Sequence, residues 1–454
     1  MKVMKFGGAC LKNMRDFQEV AGIICAEEKI PVVVVSAVSG VTDLLESGIQ
    51  IAAKSDKKVP EILKDIRGKH ESILKGFIRN NNDWLEIKNI FEAKLNRLER
   101  LFYGVSFTEE ISNSVKALIL SYGERLSALT TSSILRLSGR KALAVDSDEI
   151  TIVTDDSFWN ATAILPEVKK NFQFKILPLI KRKIIPVITG YFGCTEEGKV
   201  TTFGKNGSDY TASVIAYSAG ADLLEIWKDV DGLMSADPKI VENSHRIDRL
   251  SYYEAAEISY FGAKVLHPRT VEPLVNVSIP MRIRNLYEKG SEGTEILPIA
   301  YEKEHVIKCV TCNEHISLLK ILGPGVGYKP GIIAKIGHIL SDIGINIYSV
   351  LTSQTCINLL VNSDDSQRSY EALKRASGGI IADVKLENDI SLIGVVGEGL
   401  LRRKGVYARI FSAVAEEKVN IEMISSGASE VASYFIVKKD DVKKTIHAIH
   451  REFF

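Results

Sequence analysis

Four glycine-bearing stretches combine flexible backbone with charged side chains. Lys5-Phe6-Gly7-Gly8 follows a very short apolar start. Its glycines let backbone N–H groups close on an anion, and Lys5 supplies a point charge. Ser36-Ala-Val-Ser39-Gly40-Val-Thr42 ends a strongly apolar run, at the strand edge where α/β sheets bind ligands. Gly204-Lys205-Asn206-Gly207-Ser208-Asp209-Tyr210 opens an Ala/Ser-rich helical stretch. Ser208 or Asp209 is placed to cap that helix, whose N-terminus favours a phosphate or carboxylate. Trp227-Lys228-Asp229-Val230-Asp231-Gly232, followed by Ala236-Asp237-Pro238-Lys239, sets carboxylates near a strand end, where they suit a metal or a ribose. Each stretch alone is usually structural, and a lone Lys5 is usually a solvated surface residue. Two anion cradles, two lysines, a helix-start Ser-Asp and acidic residues on one sheet edge together suit phosphoryl transfer, where positioning and charge neutralisation dominate.

Competing motifs fail. Gly193-Cys-Thr-Glu-Glu-Gly198-Lys199 has P-loop spacing, but Val200 stands where Ser or Thr is required. No GxGxxG follows the first strand, no GxSxG elbow occurs, and the eight histidines lack HExxH spacing. Cys309-Val-Thr-Cys312 has no second ligand pair for zinc and reads as part of a short strand.

The elements that must hold these residues are of two kinds. Val32–Val35 and Ile184-Ile-Pro-Val-Ile-Thr189 are continuous apolar runs, as in strands buried on both faces of a parallel sheet. Helical patterns alternate with them, so the front three hundred residues are α/β. Residues from about 54 to 115 break the rhythm as a charged helical insertion, with Trp84, Ile87, Phe91, Leu95, Leu98 and Leu101 on one stripe and Asp83 and Glu86 as a capping box. Behind them the chain repeats. Ile316-Ser-Leu-Leu-Lys-Ile-Leu-Gly323 aligns with Ile390-Ser-Leu-Ile-Gly-Val-Val-Gly397, an offset of 390 minus 316, or 74 residues, which holds at Gly331/Gly405, Ile336/Ile410 and Asn346/Asn420. Each copy reads as a ferredoxin-like βαββαβ unit.

Composition narrows the class. The 454 residues carry a net charge of +1, so no global field draws nucleic acid or an anionic membrane. No apolar run reaches the length of a spanning helix, and the apolar start is too short for a signal peptide. The six scattered cysteines form no disulfide framework, which places the chain in a reducing cytoplasm.

With those residues in hand, the chain resembles the aspartate kinases over nearly its whole length. Lys5-Phe-Gly-Gly, Ser36–Thr42, Gly123-Glu124, Gly204–Tyr210 and Trp227–Pro238 match the family's elements. Tyr260-Phe-Gly-Ala-Lys264-Val-Leu-His-Pro-Arg-Thr270 is the most specific. The tandem repeat resembles two ACT domains. The resemblance implies an amino-acid-kinase domain over 1–300, ACT domains over 313–385 and 386–454, and a strand from 305–312 joining the second. It implies phosphorylation of L-aspartate by ATP with Mg²⁺, with the substrate β-carboxylate as nucleophile and no covalent enzyme intermediate. By motif, Lys5 and Asp209 frame the transferring phosphoryl group. Ser39, Thr42, Glu124, Tyr191, Lys205 and Ser208 line the aspartate pocket, with Glu124 on the substrate ammonium. Gly7, Gly8, Lys228, Asp229, Met234, Lys239 and Lys264 follow the nucleotide, and no residue is assigned as a direct metal ligand. Gly331, Ile332, Ile333, Asn346, Ile347 and Gln354 are the implied lining for an effector, lysine or threonine, between paired ACT domains of a homodimer or dimer of dimers. Nothing follows the second repeat, so no fused homoserine dehydrogenase is expected.

The chain departs from the pattern at Ala9-Cys10, where the family carries Thr-Ser, and at Lys205, where it carries an Arg that grips a substrate carboxylate with two parallel bonds. Two alternatives therefore stay open: a kinase for another acidic amino acid, and a non-catalytic sensor that keeps the fold.

Overall fold

The computed structural model describes residues 1–150, 152–263, 265–288, 290–299, 306–376, 378, 381–401 and 403–454. They fall into two compact units. One comprises Met1–Leu233, Arg246–Ala256 and Val265–Tyr301; the other comprises Met234–His245, Glu257–Lys264 and Glu302–Phe454.

The first unit is built on an eight-stranded sheet of β1 (Lys2–Phe6), β2 (Val32–Val35), β3 (Ala142–Val145), β4 (Ile185–Thr189), β7 (Leu223–Lys228), β8 (Arg249–Ser251), β9 (Met281–Asn285) and β10 (Thr294–Leu297). A separate hairpin pairs β5 (Phe192–Cys194) with β6 (Val200–Thr202). The sheet order is β3-β4-β2-β1-β7-β9-β10-β8, and β9–β10 is its antiparallel pair among the described residues. All four valines of β2 are shut from solvent, each worth about 1.5–3 kcal/mol of burial, which is why the run contains no polar alternation. The chain leaves β1 for β2 on one side while β7 flanks it on the other, so the carboxyl ends of these strands form the switch-point crevice of an open α/β sheet. The P-loop-like segment Gly193–Lys199 lies in the β5–β6 hairpin and its turn.

The charged helical segment forms helices Val59–Leu74, Asn81–Thr108 and Asn113–Leu120. The buried stripe runs through Ile87, Phe91, Leu95, Leu98, Phe102 and Val105, while Trp84 and Leu101 are only partly buried. This stripe joins the same apolar core as Phe6, Val33 and Val35. The expected capping box at Asp83 and Glu86 is displaced: Asn80 is the cap, and its side chain accepts the Asp83 N–H at 2.9 Å. Asn80 is extended and Asp83 already sits three residues inside, so Asp83 gives up its amide instead of capping.

The second unit holds two four-stranded antiparallel sheets. Their strands are β11 (Cys309–Asn313), β12 (Ile316–Leu322), β13 (Ser349–Thr352), β14 (Cys356–Asn362), β15 (Asp383–Glu387), β16 (Ile390–Val396), β17 (Met423–Ser426) and β18 (Ala432–Lys438). The first repeat forms β13-β14-β12-β15. The second forms β11-β16-β18-β17, borrowing β11 from ahead of the first repeat. Two stretches from ahead of the repeats fold with these sheets. The Val310 N–H donates to the Ser235 carbonyl at 2.8 Å, and Ser235 Oγ lies 3.0 Å from His450 Nε2. The Tyr260 hydroxyl donates to the Tyr348 carbonyl at 3.0 Å, and the Phe261 ring packs on Tyr434. A side chain on Gly262 would run into the Cys312 carbonyl, so only glycine fits there.

His70, from the helical segment, is wholly buried with Nδ1 2.9 Å from Thr130 Oγ1 and its ring against Phe91. Burial, aided by the Lys69 charge, lowers its pKa to about 3. It is neutral in the fold and protonates near its ordinary value in the unfolded chain, so its stabilisation is complete above pH ~6.5 and is lost as pH falls toward 3. Urea unfolding of wild type and His70→Gln at pH 6.5 and 5.5 should show the wild type losing about 1 kcal/mol more than the variant over that unit; parallel losses would show that His70 is not held neutral.

Candidate active site

Lys5 is the penultimate residue of β1, and its side chain is buried because the strand is central. Its Nζ lies 2.5 Å from Asp209 Oδ1, and Lys228 Nζ, at the end of the neighbouring β7, donates to Asp209 Oδ2 at 3.0 Å. Asp209 is wholly buried in the first turn of helix Gly207–Ala219. Burial alone would raise its pKa, but the charges of Lys228 and Lys5 and their hydrogen bonds outweigh that and hold it at about 2. Burial lowers the Lys5 pKa, and Asp209 opposes the shift. Two ammonium groups share one carboxylate, so the cluster keeps one positive charge in excess at the sheet's carboxyl rim.

The helix behind this cluster does not start as expected. Neither Ser208 nor Asp209 caps it: Asn206 is the N-cap, with φ +63° and no side-chain capping bond. The reason is that Ser208 and Asp209 already lie inside the first turn, with Asp209 bound to the two lysines. Asn tolerates the left-handed conformation that the turn demands.

Near the cluster lies a second buried acid, within electrostatic reach of Lys5. Glu124 is 5% exposed. One carboxyl oxygen accepts the Ala37 N–H at 3.1 Å, and the other has no partner among the described residues. Burial pushes its pKa up to about 8, against the pull of the Ala37 N–H and the Lys5 charge. Its helix, Tyr122–Leu137, approaches the Ser36–Thr42 turn so closely that a side chain on Gly123 would overlap Ala37. Gly190 has no room for a side chain beside Ser208. Tyr191 follows it with φ +73°, a strained value for a tyrosine, and its phenol is pushed up by burial and then by the Glu124 charge. Thr42 is half-buried, and Ser39 and Lys205 are exposed.

The structure therefore brings Lys5, Asp209 and Lys228 into contact, and Tyr191 within electrostatic reach of Glu124. Gly7 and Gly8 follow β1 directly, with the Gly7 N–H already donated to the Trp227 carbonyl at 3.1 Å. Asp229 is exposed and paired with Lys12 at 3.2 Å. Met234 and Lys239 belong to the second unit, and Lys264 lies outside the described residues. In the first repeat, Gly331 caps helix Ile332–Asp342 with φ +87°. Ile332 and Ile347 pack on that repeat's core, whereas Ile333, Asn346 and Gln354 are exposed.

Sequence reasoning missed three groups. Lys69 donates to the Ser39 carbonyl at 3.1 Å from the helical segment. Arg125 is buried on the Phe192 ring, with 2.7 Å bonds to both Asp146 and Asp148. Asp16 accepts the Tyr287 hydroxyl at 3.0 Å. All are pairings across the sequence, without a local spacing signal. Cys10 is wholly buried with its thiol pushed up to about 12 by burial, so it acts as a neutral apolar filler.

The geometry has counterparts. The amino acid kinase family profile matches residues 1–285, and ACT-domain profiles match residues 311–375 and 393–453. Aspartokinase 2, chloroplastic, of Arabidopsis thaliana is 30% identical across all of this chain, which covers 84% of that protein. The bifunctional aspartokinase/homoserine dehydrogenase of Buchnera aphidicola is also 30% identical across all of this chain, which spans only 56% of it. The crystal structure of E. coli aspartokinase III in complex with aspartate and ADP (R-state) aligns with TM-score 0.87 and 26% identity, covering 100% of this chain and 99% of that one. The structure of that enzyme with lysine and aspartate (T-state) aligns at 0.81, with 27% identity and the same coverage. The chain belongs to the amino acid kinase family, and within it to the aspartokinases that carry two ACT domains.

Removing one member of a buried charge cluster leaves the others unpaired. Asp209→Leu should cost about 3–5 kcal/mol in denaturant unfolding, and Lys5→Met/Asp209→Leu should recover part of that. Equal stability of wild type and Asp209→Leu would show that the carboxylate is not neutralising buried charge.

Proposed function

We propose that this chain transfers the γ-phosphoryl group of ATP to the β-carboxylate of L-aspartate, giving 4-phospho-L-aspartate. The observation that carries this reading is Asp209 buried between Lys5 and Lys228 at the carboxyl ends of β1 and β7. The E. coli relative bound to aspartate and ADP supports both substrates. Both reactants are anionic, and catalysis consists of holding them in line while fixed positive charge meets the charge that spreads over the transferring group.

Lys5 and Lys228 supply that charge, and Asp209 holds the two ammonium groups apart and aimed. Glu124 accepts the substrate ammonium on its free carboxyl oxygen. Thr42, Tyr191 and Ser208 shape the pocket, and Ser39 and Lys205 stand at its rim. The backbone at Gly7 and Gly8 lies along the phosphates, with Asp229, Met234, Lys239 and Lys264 on the nucleotide. The aspartate β-carboxylate is the nucleophile, so no enzyme side chain is phosphorylated. Among the described residues no three His, Cys, Asp or Glu side chains gather as a metal cage. Mg²⁺ that keeps several waters and arrives with the nucleotide phosphates needs no such cage, and beside Lys5 and Lys228 it would add neutralising charge.

The domains we assign are 1–300 for the kinase, 313–385 and 386–454 for the two ACT domains, with β11 completing the second. An amino-acid effector binds the first ACT domain around Gly331, Ile332, Ile333, Asn346, Ile347 and Gln354; the lysine-bound T-state of the E. coli relative favours lysine over threonine. Val350 on β13 and Ile424 on β17 occupy equivalent positions of the two repeats and are 39% and 47% exposed. Both lie on edge strands, which supports pairing of ACT domains between two chains. No helix among the described residues is long and apolar enough to cross a membrane, and the cytoplasm is the compartment we assign.

A coupled assay of ADP release, with the product trapped as its hydroxamate, should require both aspartate and Mg²⁺. Turnover on glutamate instead, or tight aspartate binding with no turnover, would replace this reading. In the same assay Lys5→Ala should lower kcat by about 10²-fold or more while the KM values move far less; wild-type kcat would remove Lys5 from the transfer step. Glu124 should also make aspartate binding pH-dependent. Its carboxyl releases its proton near pH 8 before substrate arrives, so the aspartate KM should rise by up to about tenfold per unit as pH falls from 8 to 6. Glu124→Gln should bind weakly and flatten that profile, and a flat wild-type profile would take Glu124 out of the ammonium site.

A further inference from the structure

Arg269 lies in the short turn Pro268–Val271 and takes no part in the chemistry above. A guanidinium has five N–H donors in a fixed fork, and the neighbours of Arg269 engage all three nitrogens. Nη1 donates to the carbonyls of Asn160 at 3.1 Å and Ala161 at 3.0 Å. Nη2 donates to Thr162 Oγ1 at 3.0 Å and reaches the Tyr210 hydroxyl at 3.4 Å. Nε faces the Glu272 carboxylate at 3.1 Å. The guanidinium also lies 4.6 Å over the Tyr210 ring.

Two of these partners adjoin the turn Gly204–Asp209, which carries Lys205, Ser208 and Asp209: Asn160 at its start and Tyr210 at its end. That turn has two backbone bonds of its own, from the Gly207 N–H to the Gly204 carbonyl at 2.9 Å and from the Asp209 N–H to the Asn206 carbonyl at 3.2 Å, but its joints are strained. Gly204 and Asn206 are both left-handed, at φ +83° and +63°, and Asn206 makes no side-chain cap. It is also held from outside. The Asn160 side chain fills the space where a Cβ on Gly204 would stand. The Ala161 N–H donates to the Thr202 carbonyl at 2.9 Å, and the Phe158 carbonyl accepts the Thr202 N–H at 3.0 Å. Tyr210 follows Asp209 directly and accepts the Ala163 N–H at 3.3 Å. Asn160 is itself left-handed, at φ +56°, so the brace needs a brace, and Arg269 holds its carbonyl.

We propose that Arg269 is a positioning residue for the transfer reaction: it clips residues 160–162 to Tyr210 and thereby fixes the turn that presents Lys205, Ser208 and Asp209. The inference rests on the reading that this turn handles the acidic substrate and the transferring phosphoryl group. Lysine cannot replace the clip, because one ammonium cannot span two carbonyls, a hydroxyl and an aromatic face at once.

The test pairs hydrogen exchange with steady-state kinetics on Arg269→Ala and Arg269→Lys in the full chain. Exchange at residues 203–209 should speed up in both variants, with β1 and helix Tyr122–Leu137 unchanged. kcat/KM for aspartate should fall by about 10²-fold in Arg269→Ala and by about tenfold in Arg269→Lys, while the melting temperature stays close to wild type. Added guanidinium at millimolar concentration should restore part of the Arg269→Ala activity, an effect a general loss of packing would not show. Should Arg269→Ala not fold, Thr162→Val removes one arm of the clip and should shift exchange and kcat/KM the same way by a smaller factor. Unchanged protection at 203–209 in a folded variant overturns the proposal. A wild type inactive on aspartate would overturn the kinase reading instead, and the exchange result would still decide the clip.

Discussion

A carboxylate stripped of water is tolerated only where opposite charge and hydrogen bonds replace the solvent, and Asp209 meets that condition with two lysines. Much of the first unit follows from keeping those three groups together. Lys5 must come from a central strand so that its stem is sheathed, which requires β2 and β7 as neighbours. Lys228 must end the adjacent strand in parallel register, so the two ammonium groups emerge at one edge. Asp209 must enter at a helix start, where the free amides also favour negative charge. The cluster is thus assembled from three separate parts of the chain, and its excess positive charge faces the crevice where an open α/β sheet takes its ligand.

Glu124 shows the complementary arrangement. Its carboxyl is buried beside this positive centre, yet it is not neutralised by it, and one oxygen is left without a partner among the described residues. A satisfied anion beside an unsatisfied one gives the first unit two poles of opposite demand: the lysines have positive charge to spare, and Glu124 has an acceptor oxygen to spare. The close approaches at Gly123 and Gly190 set the distance between these two poles, since a methyl group at either position would push helix and strand apart.

The parts of this molecule written in local pattern could be read directly. The valine run of β2, the repeat at constant offset and the glycine-rich turns each carry their meaning within a few residues, and the structure has a buried strand, two matched modules and tight turns there. Helix starts were less legible because several polar residues in a row can cap. Asn80 prevails over Asp83, and Asn206 over Ser208, by backbone conformation that composition does not encode. The bonds of Lys69 to the Ser39 carbonyl and of Arg125 to Asp146 and Asp148 join distant stretches. Only the folded chain brings them together, and no spacing in the sequence announces them.

The placement of Ser235 and Tyr260 among the ACT sheets has an evolutionary edge. Met234–His245 and Glu257–Lys264 complete the compact unit that holds the C-terminal repeats, although in sequence they fall between β7 and β8 and between β8 and β9. A single recombination crossover near residue 300 would join a new sensory tail to the seats of an old one, leaving Gly262 against a foreign strand with no space to adjust. Lineages that trade regulatory modules must carry three separate stretches together or refit their contacts one by one, so sensor and catalyst in such chains inherit as a matched set.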